Sequence, residues 1–377
     1  MTFINPGDRI TRRGFFKRGA EALFGTGVLA GVHPPKVARY PGEKEGAARS
    51  DSAPAIRKIA LEEHFTLPEA ISLGAYPLGG RPSTPEFRLQ ILDLGSGRIA
   101  EMDRGGVELC IVSLVAPGIQ GLPGISQAIA MSRRANDYLA EHIAKYPKRL
   151  KGFAALPLQD PQAAAQELTR CVKELGFCGA LVHGFSQIRE VDSAVYYDLP
   201  QYRSFWATVQ ELDVPFYRHP RAPLATRQQA YEGHPWLIGA TWGFAVETSI
   251  HALRLMGSGL FDEYPKLKVI LGHLGEGVPF NIWRVDHTIS TVTSGTKAIL
   301  SMGQYLRENF YITTSGNFRT QALTDVMLEV GADRVLYSVD YPFEDMAEAA
   351  TWFDQAAISE PDRLKIARSN AQKLFHF

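Results

Sequence analysis

The chain has 377 residues, 45% apolar and 21% charged, which suits one large barrel-type domain or two ordinary ones and argues against a disordered or fibrous protein. Lys plus Arg and Asp plus Glu both total 40, so the formal net charge is zero, no global field draws in a phosphate backbone, and nucleic acid is not an expected partner. Cys110, Cys171 and Cys178 form no CxxC pair and are odd in number, so neither a thiolate zinc site nor a disulfide framework is indicated, and any metal must be held by His and carboxylate.

The first 50 residues hold nine basic side chains against four acidic ones, a balance of +5 that leaves −5 for the rest. Thr11-Arg12-Arg13-Gly14-Phe15-Phe16-Lys17 resembles a twin-arginine export signal, followed by a weakly apolar stretch from Ala22 to Val32 that is too short for a membrane anchor. Residues 1–54 therefore read as signal plus linker, with the Pro/Gly/Ser/Ala-rich stretch His33–Ala55 as the join, and 55–377 as the folded domain. A periplasmic or exported protein is expected, or a cytoplasmic one if the leader is not functional.

From Arg57 onward short apolar, β-branched runs alternate with longer amphipathic ones. Lys58–Glu63 is the first predicted strand, and the loop after it, Gly74-Ala75-Tyr76-Pro77-Leu78-Gly79-Gly80, has neither the spacing nor the setting of a phosphate loop. The helix Arg98–Arg104 follows, then strand Leu109–Leu114 with helix Ile125–Tyr146, and strand Leu150–Leu156 with helix Pro161–Leu175. Next come strand Gly179–His183 with helix Tyr202–Leu212, and strand Val214–Arg218 with helix Phe244–Phe261. Strand Lys268–Gly272 precedes helix Glu276–Thr291, strand Phe310–Thr314 precedes helix Arg319–Val330, and strand Arg334–Val339 precedes helix Met346–Ala357. A last helix runs from Pro361 to Leu374. Eight strand-helix pairs fit a closed α/β (β/α)₈ TIM barrel with loop insertions better than an open doubly wound sheet.

In such a barrel catalytic groups project from the C-terminal ends of strands. Strand 1 ends Ala60-Leu61-Glu62-Glu63-His64, and the two-residue period places Ala60, Glu62 and His64 on one face with Glu63 on the other. Strand 5 ends in His219 and strand 8 in Asp340. Glu62, His64, His219 and Asp340 make an N₂O₂ set suited to one divalent ion, Zn²⁺ or Mn²⁺, with open positions for substrate or water. A second, lysine-bridged metal would need Lys at the end of strand 4, which reads Leu181-Val182-His183-Gly184. His273 lies three residues before Glu276, close enough for the carboxylate to hold the imidazole tautomer as a proton-handling pair.

The strings ALEEHF, LPLQDP, GFSQ, YYDLPQYR, FYRHPR, GHPWL, ETSIHALRLM, GLFDEYPKL, ILGHLGEG, TTSGNFRTQ and YSVDYPFE closely resemble the metal-dependent decarboxylases of the amidohydrolase superfamily, nearest to the γ-resorcylate (2,6-dihydroxybenzoate) branch. The resemblance runs from Lys58 to Phe375. It implies metal ligands at Glu62, His64, His219 and Asp340, an acid/base pair at His273 and Glu276, a substrate-side arginine at Arg284, and a homodimer or homotetramer. Glu-x-His in strand 1, where many superfamily hydrolases carry His-x-His, favours a lyase. His183 stands where the resemblance leads one to expect Asn and reads as a substrate-side residue facing the pocket. Arg218 replaces an apolar residue and, opposite in parity to His219, points outward. The strand-1 loop, Pro68 to Pro85, also differs in sequence.

The expected reaction is non-oxidative decarboxylation of an ortho-hydroxybenzoate, with Asp340 as proton donor, His273 and Glu276 tuning or relaying the proton, and Arg284 offsetting substrate charge. No redox cofactor is needed. Two other readings use nearly the same residues: a hydrolase of a lactone or amide working with metal-bound water, and a non-catalytic exported metal-binding protein.

Overall fold

Eight short parallel strands carry the fold: β1 (Lys58–Phe65), β2 (Val107–Leu114), β3 (Leu150–Gly152), β4 (Ala180–His183), β5 (Phe216–His219), β6 (Val269–Leu271), β7 (Phe310–Thr313) and β8 (Val335–Leu336). The structure is a computed structural model that describes residues 56–69, 84–292 and 295–377. The predicted leader and linker, 1–54, and residues 70–83 of the strand-1 loop lie outside the described residues. β1 to β3 pair in order, as do β4 to β8. A parallel bridge between Ala154 and Ala180 joins the two groups. The circle closes where Asp340 N–H donates to the Glu62 carbonyl at 3.0 Å and His64 N–H to the Tyr341 carbonyl at 2.7 Å. This is the expected (β/α)₈ barrel.

The helices are α1 (Pro85–Leu92), α2 (Ser96–Arg104), α3 (Ile125–Ile143), α4 (Pro161–Lys173), α5 (Arg203–Glu211), α6 (Gly243–Gly257), α7 (Leu260–Glu263), α8 (Val278–Thr291), α9 (Met302–Asn309), α10 (Thr320–Val330), α11 (Met346–Gln355), α12 (Glu360–Leu364) and α13 (Asn370–Phe375), the last two joined by a π-turn at Lys365–Ser369. Alternation along the strands divides the core in two. Ile59, Leu61, Ile111, Phe153, Leu181, Tyr217, Ile270 and Leu336 fill the barrel with Ala371, Leu374 and Phe375 of α13. The opposite strand faces pack under the helices through residues such as Val112, Val182, Phe216 and Ile312. Each large apolar side chain so buried contributes about 1.5–3 kcal/mol relative to exposure. Among the described residues, no helix is long and apolar enough to cross a membrane.

The structure departs from the predicted elements where side chains or glycines compete with regular backbone. α1 and α9 were not expected, although Thr84 caps α1 with Pro85 at its first turn and Ser301 and Gln304 form a capping box on α9. The predicted helix Phe244–Phe261 breaks at Gly259, whose φ of 76° only glycine adopts at no cost. Helix α8 starts at Val278 rather than Glu276, because His273, Leu274, Gly275, Glu276 and Gly277 all take positive φ. Strand 8 stops at Leu336 instead of Val339, since the backbone N–H groups beyond it are taken by other partners, Val339 and Tyr341 by the Glu63 carboxylate.

β1 carries an irregularity that sequence periodicity does not reveal. Its register with β2 steps from Ala60 opposite Cys110 to Glu63 opposite Val112, three residues against two. Ser338 Oγ accepts both Leu61 N–H at 3.1 Å and Glu62 N–H at 2.6 Å across this bulge. Ile59 and Leu61 therefore point into the barrel while Ala60 packs outside, contrary to the expectation that Ala60 shares a face with Glu62. Past the bulge the phase is reset, and Glu62 and His64 turn inward together. A bulge at a barrel rim re-aims side chains in this way.

Candidate active site

One ligand atom each from Glu62, His64, His219 and Asp340 lies within 4.8 Å of the others at the C-terminal mouth of the barrel. Glu62 Oε1 is 3.0 Å from His219 Nε2, and His64 Nε2 is 3.2 Å from Asp340 Oδ1. Glu62 Oε1, His64 Nε2 and Asp340 Oδ1 are buried without a hydrogen-bond partner. Leaving such atoms unpaired costs about 1–3 kcal/mol each, more when charged, so their convergence fits a cation that accepts all of them. Two imidazoles and two carboxylates are a donor set for Zn²⁺ or Mn²⁺, and the residues present fit such an ion.

Hydrogen bonds behind the imidazoles fix which nitrogen is free. His219 Nδ1 lies 2.8 Å from the Pro220 carbonyl, which can only accept, so Nδ1 carries the proton and Nε2 keeps its lone pair for the site. His64 Nδ1 is 3.1 Å from Ser113 Oγ, a hydroxyl able to accept a proton from Nδ1 and so leave Nε2 for the site. Burial holds the His64 imidazole below its usual range, against the neighbouring Asp340 and Glu62 charges, so it is neutral as a ligand must be. Burial alone would raise the Glu62 and Asp340 carboxyls, but the surrounding imidazoles, His273 above all, hold Glu62 well below the usual range and lower Asp340 as well.

His273 sits on the left-handed turn after β6, with φ of 52°, and that turn rather than a helix brings Glu276 back to it. Its Nδ1 is 2.6 Å from Glu276 Oε1, and its Nε2 faces the site, 3.5 Å from Glu62 Oε1 and 3.6 Å from Asp340 Oδ2. Burial would push its proton off, but the Glu62 and Glu276 charges outweigh it and raise the imidazole well above its usual range. The acidic neighbours thus favour a proton on His273, whose Nε2 faces Asp340.

A cavity of about 420 Å³ opens over these groups, within the range of small-molecule sites. His219, His273 and Asp340 form its polar floor, and Trp236, Phe244 and Phe343 stand among its walls. Two predicted substrate residues are elsewhere. His183 is buried and does not line the cavity: its Nε2 donates to the Leu114 carbonyl at 2.8 Å, and its Nδ1, then an acceptor, is 2.9 Å from His219 Nδ1. Both its nitrogens are engaged inside the protein, one of them against His219, and neither faces the cavity. Arg284 is exposed on α8 and is not part of the cavity wall of its own chain. Arg218 points outward as expected, yet is fully buried, its Nε donating to His251 Nδ1 at 2.8 Å.

Several residues escaped the sequence reading. Glu63, expected only to face away, accepts the N–H groups of Val339 and Tyr341. Tyr217 and Ser315 both donate to Glu62 Oε2, with Thr313 Oγ1 at 3.4 Å. Strand parity was the available signal, since Tyr217 is two residues before His219 and Thr313 two before Ser315.

The amidohydrolase family model matches residues 97–377. A gamma-resorcylate decarboxylase of Rhodococcus jostii (strain RHA1) is 56% identical over 325 residues, covering 84% of this chain and 98% of that protein. A crystal structure of 2,6-dihydroxybenzoate decarboxylase complexed with 2,6-dihydroxybenzoate has a TM-score of 0.82 at 53% identity, covering 85% of this chain and 99% of the other. The dihydroxybenzoic acid decarboxylase of Polaromonas sp. JS666, with bound manganese and the inhibitor 2-nitroresorcinol, has a TM-score of 0.82 at 54% identity, covering 85% and 97%.

Proposed function

The chain belongs to the amidohydrolase family, and from that premise we propose that it is a metal-dependent carbon–carbon lyase that removes the carboxyl group of 2,6-dihydroxybenzoate and related ortho-hydroxybenzoates without oxidation. The observation that carries this reading is the placement of His273 Nε2 3.6 Å from Asp340 Oδ2, on the floor of a cavity next to four converging metal ligands.

Glu62, His64, His219 and Asp340 would hold one Mn²⁺ or Zn²⁺, and the ion would supply a fixed positive charge that chelates carboxylate and adjacent phenolate and so orients the ring. Trp236, Phe244 and Phe343 pack on the ring and exclude water. Asp340, supplied by His273, delivers a proton to the ring carbon bearing the carboxylate. That carbon becomes sp³, its bond to the carboxylate aligns with the ring π system, and the bond pair returns to the ring as CO₂ leaves. Atoms and charge balance: one proton enters, one CO₂ departs, and the ring is aromatic again. Glu276 holds His273 in position and favours its reprotonation. The same inventory serves carboxylation of the phenol at high bicarbonate.

We also propose a homodimer or homotetramer. Val246 and Ile250 on α6 and Phe280 and Trp283 on α8 are exposed, each pair about one turn apart, and Trp236 and Trp242 are exposed before α6. Arg284 follows Trp283, so any contact it makes with substrate belongs to an assembly. The division near residue 54 and export by the twin-arginine route rest on the leader sequence alone.

The test supplies 2,6-dihydroxybenzoate and a panel of hydroxybenzoates to the manganese-loaded protein and follows resorcinol and CO₂. Equimolar release supports the reading. An acid product carrying ¹⁸O from solvent, or no turnover on any member, overturns it.

A further inference from the structure

Glu62 is held asymmetrically, and we propose that the hydroxyls of Tyr217, Thr313 and Ser315 form a cradle that makes it a one-oxygen ligand and so keeps two coordination positions open for the substrate chelate. The proposal rests on the metal-centre reading above and concerns what limits that centre.

Glu62 Oε2 receives hydrogen bonds from the Tyr217 hydroxyl and Ser315 Oγ, with Thr313 Oγ1 at 3.4 Å. The three hydroxyls are themselves linked, Tyr217 to Thr313 at 2.9 Å and Thr313 to Ser315 at 2.8 Å. Glu62 Oε1, on the same carboxylate, is buried without any hydrogen bond and lies 3.0 Å from His219 Nε2. One oxygen is thus saturated by the protein and the other is left for the ion. Gly272 closes the cradle from behind: a Cβ there would stand 2.7 Å from Glu62 Oε2, 3.2 Å from Oε1 and 3.1 Å from the Tyr217 oxygen, so this glycine provides the space in which the carboxylate is clamped. Ser315 Oγ also accepts His273 N–H at 3.2 Å, which ties the cradle to the proton-bearing turn.

The count of donors gives the cradle its consequence. A Mn²⁺ ion with six places, held by single atoms from these four residues, would keep two of them free, the number that a carboxylate and an ortho-hydroxyl require together. A Glu62 free to turn would offer both oxygens and take one of those places. Tyr217, Thr313 and Ser315 touch neither ion nor substrate in this account; they are positioning residues acting through Glu62.

The experiment compares metal-free parent chain with Tyr217→Phe, Ser315→Ala and the double variant, each change removing a single oxygen. Mn²⁺ is titrated in and followed by electron paramagnetic resonance. Salicylate, a carboxylate–phenol chelator, is then titrated onto the loaded proteins. The cradle predicts unchanged or tighter Mn²⁺ binding in the variants, an altered resonance line shape, and salicylate binding weakened about ten-fold or more in the double variant, on the scale of lost outer contacts at metal sites. The single variants shift in the same direction by less, so the result does not depend on the double variant folding. Parallel weakening of Mn²⁺ and salicylate, or no change in either, overturns the cradle while leaving the metal centre standing. A parent chain that fails to take up one equivalent of Mn²⁺ overturns the metal centre itself and the cradle with it.

Discussion

Glu63 grips the backbone on both sides of Asp340. Its Oε1 accepts Val339 N–H at 3.0 Å and its Oε2 accepts Tyr341 N–H at 3.1 Å, while Asp340 itself sits between them at φ 80°. A left-handed residue without glycine's freedom is strained and persists only when its neighbours are pinned. The Glu63 carboxyl group, which faces away from the metal ligands, thus aims one of them. In Glu63→Gln the side-chain nitrogen cannot accept, so one of the two N–H groups faces another donor, at a cost of about 1–3 kcal/mol. Turnover or Mn²⁺ affinity is expected to fall about 10–100-fold, measured by steady-state kinetics and calorimetric titration. Parent-like values for both would show that Asp340 holds its place unaided.

In the proposed mechanism His273 supplies the proton that the reaction consumes, and it is not one of the four residues that would hold the ion. Replacing it by Asn keeps a polar side chain at the turn and removes the transferable proton. We expect kcat to drop by about 10²–10⁴ while Mn²⁺ still binds within a few-fold of the parent affinity. Loss of metal with loss of activity would instead make His273 a ligand.

His183 separates two roles by one variant. As a buttress it shares the His219 Nδ1 proton with the Pro220 carbonyl, so His183→Leu leaves that imidazole less firmly oriented and weakens Mn²⁺ binding by about 10–100-fold. As a substrate contact it would raise KM at unchanged metal affinity. Mn²⁺ titration beside the kinetics distinguishes the two.

Buried neutral imidazoles make the metal-free fold sensitive to acid. Burial depresses His64, and depresses His183 and His251 well below the usual 6.5, with the positive charge of Arg218 adding to the effect on His251. In the unfolded chain these groups take up protons as pH falls through 6.5, whereas in the folded chain they do not. The unfolded state then binds more protons, and stability falls by up to about 1.4 kcal/mol per pH unit for each of them. Glu63 opposes this: burial pushes it up to about 8, so its contribution is full below 4.5 and is lost as pH rises toward 8. His273, held well above its usual range by Glu62 and Glu276, opposes it too, since it stays protonated in the folded chain through this window. Chemical denaturation of the metal-free protein at pH 7 and 5.5 checks the histidine contribution: His251→Gln should gain stability at pH 5.5 relative to pH 7 when compared with the parent, and an unchanged difference would contradict it.

The barrel and the ligand set were legible in the sequence because both follow from simple rules. Strand-helix alternation defines the fold, and strand ends carry the chemistry. The residues that place the ligands were harder to read. Glu62 and His64 share a face as period-two alternation suggests, but a bulge shared with Ser338 brings them there, and no residue type marks that bulge. His183 has the inward parity of a substrate contact, yet whether an inward imidazole meets the cavity or a neighbouring ring depends on distances across strands. The arginine read as a substrate contact, Arg284, lies on an exposed helix face, because helix periodicity says which residues share a face but not what covers it.

The central claim is that one ion, held by Glu62, His64, His219 and Asp340, makes the chain a decarboxylase. It is tested most directly by adding Mn²⁺ stepwise to metal-free protein and recording CO₂ release from 2,6-dihydroxybenzoate at each step. The account predicts no release without metal, a linear rise that levels at one Mn²⁺ per chain, and no release at any step from Asp340→Asn. Release by the metal-free chain, a plateau at two equivalents, or full activity in Asp340→Asn would contradict it.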